Sequence, residues 1–145
     1  MKVAIASDHG GYELKEFIKK NLSKKYDFID EGCFSKDSVD YPIYASKAAS
    51  LVALGDAEYA IVICTNGIGV SMVANKLKGI RCALCTTVDM AEHAKLHNDA
   101  NCLALGATNQ SMKEALEIVT AFLDTKFSNE ERHLRRVNQI KKMEE

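Results

Sequence analysis

Residues 60–75, Ala-Ile-Val-Ile-Cys-Thr-Asn-Gly-Ile-Gly-Val-Ser-Met-Val-Ala-Asn, change their apolar periodicity halfway along, and this change constrains the fold more than any other feature. Ala60 to Cys64 is a short apolar run rich in β-branched residues, which reads as a strand buried on both faces. Val70 to Leu77 has helical spacing, with Met72, Val73 and Leu77 able to share a face. Thr65, Asn66, Gly67, Ile68 and Gly69 therefore form a tight strand-to-helix turn. Its two glycines let the backbone approach a ligand, and Asn66 is placed as the helix N-cap. The free amides of a first helical turn, with the positive end of the dipole behind them, suit an anion. Cys64, the last strand residue, stands beside those amides. Two readings fit: a thiol facing a ring of N–H donors, or a structural cysteine before an ordinary glycine turn.

The same alternation runs along the chain. Lys2 to Ala6 is a strand, followed by the turn Ser7 to Gly11, and Tyr12 to Leu22 carries Leu14, Phe17, Ile18 and Leu22 as one helical stripe. Tyr26 to Ile29 reads as a short second strand. Residues 30–42 form a polar connection holding the only proline, Pro42, before an alanine-rich helix from Tyr44 to Leu54 that stops at Gly55. Ile80 to Cys85 and Asn101 to Leu105 read as further strands. Val88 to His97, Ser111 to Leu123 and about Glu130 to Met143 read as helices. Strands alternating with helices imply a five-stranded parallel sheet covered on both faces, in one α/β domain over residues 1–145. Ligands of such sheets sit beyond the carboxyl ends of the strands, where strand order reverses. Asp8-His9 and Thr65–Gly69 share that edge; His97-Asn98 lies at the other end of its own helix.

A net charge of -1 argues against nucleic acid or an anionic membrane as the main partner. No run is long enough to span a bilayer, and the N-terminus turns polar too soon for a signal peptide. The five cysteines are odd in number and mostly lie in apolar stretches, so a reduced, cytoplasmic protein is expected.

Asp8 and His9 place a carboxylate and an imidazole at a strand mouth, where they bind a ligand unless Asp8 merely caps the next helix. Neither glycine turn has the G-x-G-x-x-G dinucleotide pattern. His93 and His97, four apart, have a spacing that suits zinc, but no third ligand is evident, so no metal is expected. Cys82 and Cys85 have C-x-x-C spacing within an apolar strand, where alternating faces explain them better than redox work. Arg132 and Arg136 share one face of the last helix beside the stripe Leu134, Val137 and Ile140. Such a helix docks by its stripe, and its guanidinium groups form either a solvated face or a fork for phosphate. The stripe is too narrow to stabilise the helix alone, so packing on a second subunit is expected.

Taken together, these residues resemble the type B ribose-5-phosphate isomerases and the galactose-6-phosphate isomerase subunits. The matching segments are Ser7–Gly11, Asp40–Pro42, Cys64–Lys76, Gly79–Arg81, His97–Asn101, Leu105-Gly106 and Arg132-His133 with Arg136-Val137, in order over nearly the whole chain. The resemblance implies a Rossmann-like three-layer α/β/α domain and a homodimer, or dimer of dimers, with active sites at the interface. It implies metal-free and cofactor-free aldose–ketose isomerisation of a sugar phosphate through a cis-enediolate. Cys64 is then the base and Thr65, Asn66, Gly67, Ile68 and Gly69 the anion hole. His97 assists ring opening, Asp8, Tyr41 and Asn98 hold sugar oxygens, and His9, Arg132 and Arg136 bind phosphate, some from the neighbouring subunit. Ribose 5-phosphate is the expected substrate. A hexose 6-phosphate (galactose or allose), or binding of a sugar phosphate without catalysis, are the alternatives. Two positions depart from the family pattern: Asn66 replaces the usual threonine of the anion hole, and Thr108 stands where many pentose-phosphate members carry an arginine.

Overall fold

A computed structural model describes all residues from Met1 to Glu145. Its sheet has the strands β1 (Lys2–Ser7), β2 (Asp27–Asp30), β3 (Tyr59–Cys64), β4 (Cys82–Leu84) and β5 (Cys102–Gly106). All neighbours are parallel, in the order β2-β1-β3-β5-β4. The helices are α1 (Tyr12–Leu22), α2 (Tyr41–Ala53), α3 (Ile68–Ala74), α4 (Val88–Leu96), α5 (Met112–Asp124) and α6 (Glu131–Lys142). β1 leads out to β2 on one side, and β3 leads to β4 and β5 on the other. Strand order thus reverses between β1 and β3, and the crevice beyond their carboxyl ends is the place for a ligand.

The two faces of the sheet differ in side-chain size. Val3, Ile5, Ile61, Ile63, Leu103 and Leu105 point to one face and pack with Leu14, Ile18, Ile118 and Phe122 of α1 and α5. Ala4, Ala6, Ala60, Val62, Cys102 and Ala104 point to the other, against Ala45, Ala48 and Ala49 of α2 and Val70 and Ala74 of α3. Period-two alternation makes this split. The small-residue face lets α2 and α3 lie close, and it is the face to which Cys64 belongs. Cys82 and Cys85 fall on opposite faces, and burial pushes the Cys85 thiol up to about 12, as suits structural thiols.

Several boundaries differ from expectation. α2 begins at Tyr41 rather than Tyr44, with Pro42 inside its first turn. Proline lacks only an N–H that no helical carbonyl would accept there, so it starts this helix instead of preceding it. α3 begins at Ile68 and ends at Ala74; Val70 and Ala74 are its buried residues, while Met72 is exposed. The last helix docks on its own chain through His133 and Val137, both buried, while Leu134 and Ile140 stay exposed. Within one chain the helix therefore docks through residues 133 and 137, four apart, and of the expected stripe only Val137 is covered.

Two lysines are fully buried, which composition does not foretell. Lys15 Nζ meets Asp30 at 2.6 Å and Glu16 at 3.1 Å. Lys95 has no carboxylate in contact: its Nζ donates to the Phe122 carbonyl at 2.8 Å and lies 3.9 Å from the Tyr59 ring centre. Burial pulls its ammonium down to about 8, against the weaker opposing pull of Asp99, Asp124 and Glu58. Because the folded value lies below the unfolded one, the unfolded chain binds more protons between the two, and stability rises with pH there. Relative to Lys95→Met, the wild type should gain about 2 kcal/mol of unfolding free energy between pH 7 and 9.5. Denaturant unfolding at both pH values checks this, and parallel curves for the two proteins would contradict it.

Candidate active site

β3 ends at Cys64, and the chain turns at once. Gly67 is the N-cap of α3 with φ +82°, a left-handed conformation that glycine adopts without strain. Asn66, the expected N-cap, sits one residue before the observed cap, yet its Oδ1 still accepts the Ile68 amide at 3.1 Å. The Gly67 amide donates to Cys64 Sγ at 3.2 Å. That contact turns the thiol of Cys64 towards the amide turn. Cys64 is buried, 6% exposed, but its sulfur accepts from the amide turn and the residue lines the cavity beyond it. α3 has seven residues, so the individual N–H groups matter here more than a helix dipole. Within the turn, the amides of Thr65, Asn66 and Gly69 have no acceptor in the chain.

A cavity of about 400 Å³ opens on this turn, lined by Asp8, Tyr41, Cys64, Thr65, Asn66, Ile68, Gly69 and Met72. Asp8 follows β1; its Oδ1 accepts the Gly11 amide at 3.1 Å, as the capping reading expects, and the residue also lines the cavity. Tyr41, brought in by the first turn of α2, lies over Gly69: a Cβ added there would sit 2.5 Å from Tyr41 Cε1. Gly67 backs the loop against Gly106 and Leu84 and does not line the cavity. Ile68 and Met72 form an apolar rim, both largely exposed. His9 neighbours Asp8 in sequence, and its Nδ1 accepts the Val39 amide at 3.1 Å.

His97, Asn98, Arg132 and Arg136 do not join this cavity. α4 runs back from the carboxyl edge of the sheet to the amino edge, where β5 begins, and His97 caps that far end. The His97 ring packs on His93 at 4.8 Å and on His133 of α6 at 4.3 Å, centre to centre. His133 belongs to one of the segments that carry the family resemblance, but its sequence position indicated no role for it. The His97 ring thus lies between helices α4 and α6, against one imidazole of each. Burial, then the neighbouring His97, Arg132 and Arg136, hold the His133 imidazole below its ordinary value. Arg132 and Arg136 are exposed beside it. Asn98 lines a second cleft of about 520 Å³ under the end of α6, with Arg81, Cys82, Ile140 and Met143. The candidate residues thus form two clusters, one at each edge of the sheet.

Comparison with known proteins identifies the family of this fold. The Ribose/Galactose Isomerase family profile covers residues 3–140. Ribose-5-phosphate isomerase B of Escherichia coli is 38% identical over 145 residues, 99% of this chain and 97% of its own. The structure of Clostridium thermocellum ribose-5-phosphate isomerase B superposes with a TM-score of 0.96 at 46% identity, covering 99% of this chain and 97% of that one. That of Mycoplasma genitalium ribose-5-phosphate isomerase B with bound ribulose-5-phosphate gives 0.92 at 36% identity, over 99% and 95%. Fold and likeness together define the class, a sugar phosphate isomerase on a Rossmann-like α/β/α domain. Within that class, the chain belongs to the ribose/galactose isomerase family. No helix is long and apolar enough to cross a membrane.

Proposed function

We infer that the protein interconverts ribose 5-phosphate and ribulose 5-phosphate, with Cys64 as the base. The contact of 3.2 Å between Cys64 Sγ and the Gly67 amide carries this reading, because it sets the sulfur beside unpaired N–H groups in one cavity. In the open aldehyde, Cys64 takes the C2 proton and charge spreads onto O1. The proton returns at C1 while the hydroxyl proton passes from O2 to O1. Amides aimed at the developing charge lower the barrier; one such donor is typically worth about 2.7–4 kcal/mol. Asn66 has no exchangeable hydroxyl. Thr65 Oγ1, lying against Gly10 where an added Cβ would meet it at 2.3 Å, supplies one at the cavity wall. Asp8 and Tyr41 hold sugar oxygens.

His97, Asn98, Arg132 and Arg136 complete the site from a second copy of the chain, with His9 joining the two arginines on the phosphate. The apolar rim of Ile68 and Met72 is suited to be covered in such a homodimer, and remote phosphate contacts would hold the open chain in a reactive pose. A hexose 6-phosphate is the second reading. Thr108 favours it, because its hydroxyl turns inward onto the Thr65 carbonyl at 2.9 Å and leaves no cationic side chain at that position. Turnover of ribose 5-phosphate, galactose 6-phosphate and allose 6-phosphate, side by side with a chelator present, separates these readings. Fast turnover of the pentose supports the first and turnover of a hexose alone the second. Tight binding without turnover would overturn both.

A further inference from the structure

The turn that closes β5 holds the carbonyl side of the Cys64 loop. The Ala107 amide donates to the Cys64 carbonyl at 2.9 Å. The Thr108 amide and hydroxyl both donate to the Thr65 carbonyl, at 3.0 and 2.9 Å. Asn109 Nδ2 donates to the Asn66 carbonyl at 2.9 Å. Gln110 Nε2 ties the same turn to the Gly106 carbonyl at 2.8 Å. Three successive carbonyls of one loop are therefore held from one side.

A trans peptide is planar, and its N–H points opposite to its C=O. Fixing the carbonyls of Cys64, Thr65 and Asn66 towards the β5 turn directs the amides of Thr65, Asn66 and Gly67 away from it. The Gly67 amide does meet Cys64 Sγ, as that geometry requires. The carbonyls of Thr65 and Asn66 would otherwise accept from Gly69 and Val70 in a first helical turn, and neither bond forms. Close approach allows the bracing: a Cβ on Gly106 would lie 2.4 Å from the Asn66 carbonyl carbon.

The geometry points to Thr108 and Asn109 as positioning residues that aim the amide collar at the substrate without touching it. This rests on the collar being the site of enediolate stabilisation. Asn109 is the sole donor to the Asn66 carbonyl, whereas Thr108 doubles a bond that its own amide already makes. Removing the Asn109 side chain should therefore cost more. Asn109 and Thr108 are exposed, so replacing either side chain opens no cavity in the core.

The test measures kcat and KM on the sugar phosphate that the wild type turns over. It also measures binding of two inert ligands: 4-phosphoerythronate, whose carboxylate mimics the enediolate, and ribitol 5-phosphate, which cannot. In Asn109→Ala, kcat should fall about tenfold to a hundredfold with KM within about twofold. Affinity for the carboxylate ligand should fall in step, while that for ribitol 5-phosphate holds. Thr108→Val should lose less, and Thr108→Ser should restore the wild-type values. Unchanged kcat in Asn109→Ala, or equal losses for both ligands, would overturn the proposal. A wild type that turns over no sugar phosphate would instead sink the functional reading beneath it.

Discussion

Replacing Cys64 with alanine is expected to abolish isomerisation and to leave sugar phosphate binding nearly intact. The side chain belongs to the small-residue face of the sheet, packed among Ala6, Val62, Val70 and other residues of similar size, so removing one sulfur leaves only a small gap. The backbone that shapes the cavity is held from elsewhere, by bonds that do not involve the thiol. What disappears is the group that accepts the carbon-bound proton. Positioned general bases contribute about 10²–10⁴ in rate, so kcat should fall about a hundredfold to ten-thousandfold. Cys64→Ser separates shape from basicity: it keeps a hydrogen-bonding atom beside the Gly67 amide but offers a far weaker base, and should be nearly as inactive. Proton exchange from C2 into deuterated water, followed by NMR, should cease in both variants. Titration with ribitol 5-phosphate should give dissociation constants within about twofold of wild type. Undiminished turnover in Cys64→Ala would take the cysteine out of the mechanism.

The chain displayed its strands plainly, because a buried parallel strand is a short run of β-branched and apolar residues with little else to be. Tyr59–Cys64 and Lys2–Ser7 lie within a residue of their expected bounds. The carboxyl-edge half of the site was legible for the same reason: the ends of β1 and β3 locate the crevice, and Asp8 and Cys64 occupy those ends. Other features depend on what packs where, which a linear pattern does not carry. On α6 the apolar stripe suggested one docking face, but His133 next to His97 makes another, since an imidazole can stack as well as titrate. Lys15 and Lys95 are buried against partners 15 and 27 residues away in the chain. The grip of Thr108 and Asn109 on the Cys64 loop spans 43 residues and ends on carbonyl oxygens, which every residue has and no sequence marks. Thr108 was noticeable as a departure from the family pattern; Asn109 gave no signal at all.

Mixing two inactive variants, Cys64→Ala and His97→Ala, should restore turnover. The two clusters sit at opposite edges of a sheet whose third strand has six residues, a separation of roughly 20 Å. No rotamer change in either cluster spans that distance, so one chain cannot bring His97 and the α6 arginines to the thiol. A two-fold dimer can, because such an interface places each copy's amino-edge cluster against its partner's carboxyl-edge cavity, twice over. Each homodimer of a single variant then lacks one group at both sites. A mixed dimer has one site missing both groups and one site missing neither. After random re-pairing half the dimers are mixed and half of their sites intact, so turnover should reach about a quarter of wild type. Unfolding and refolding the two proteins together allows the exchange, and native mass spectrometry counts the mixed species directly. Mixed dimers that form in the expected proportion yet stay inactive would show that Cys64 and His97 do not serve a common site, and the shared-site architecture would have to be abandoned.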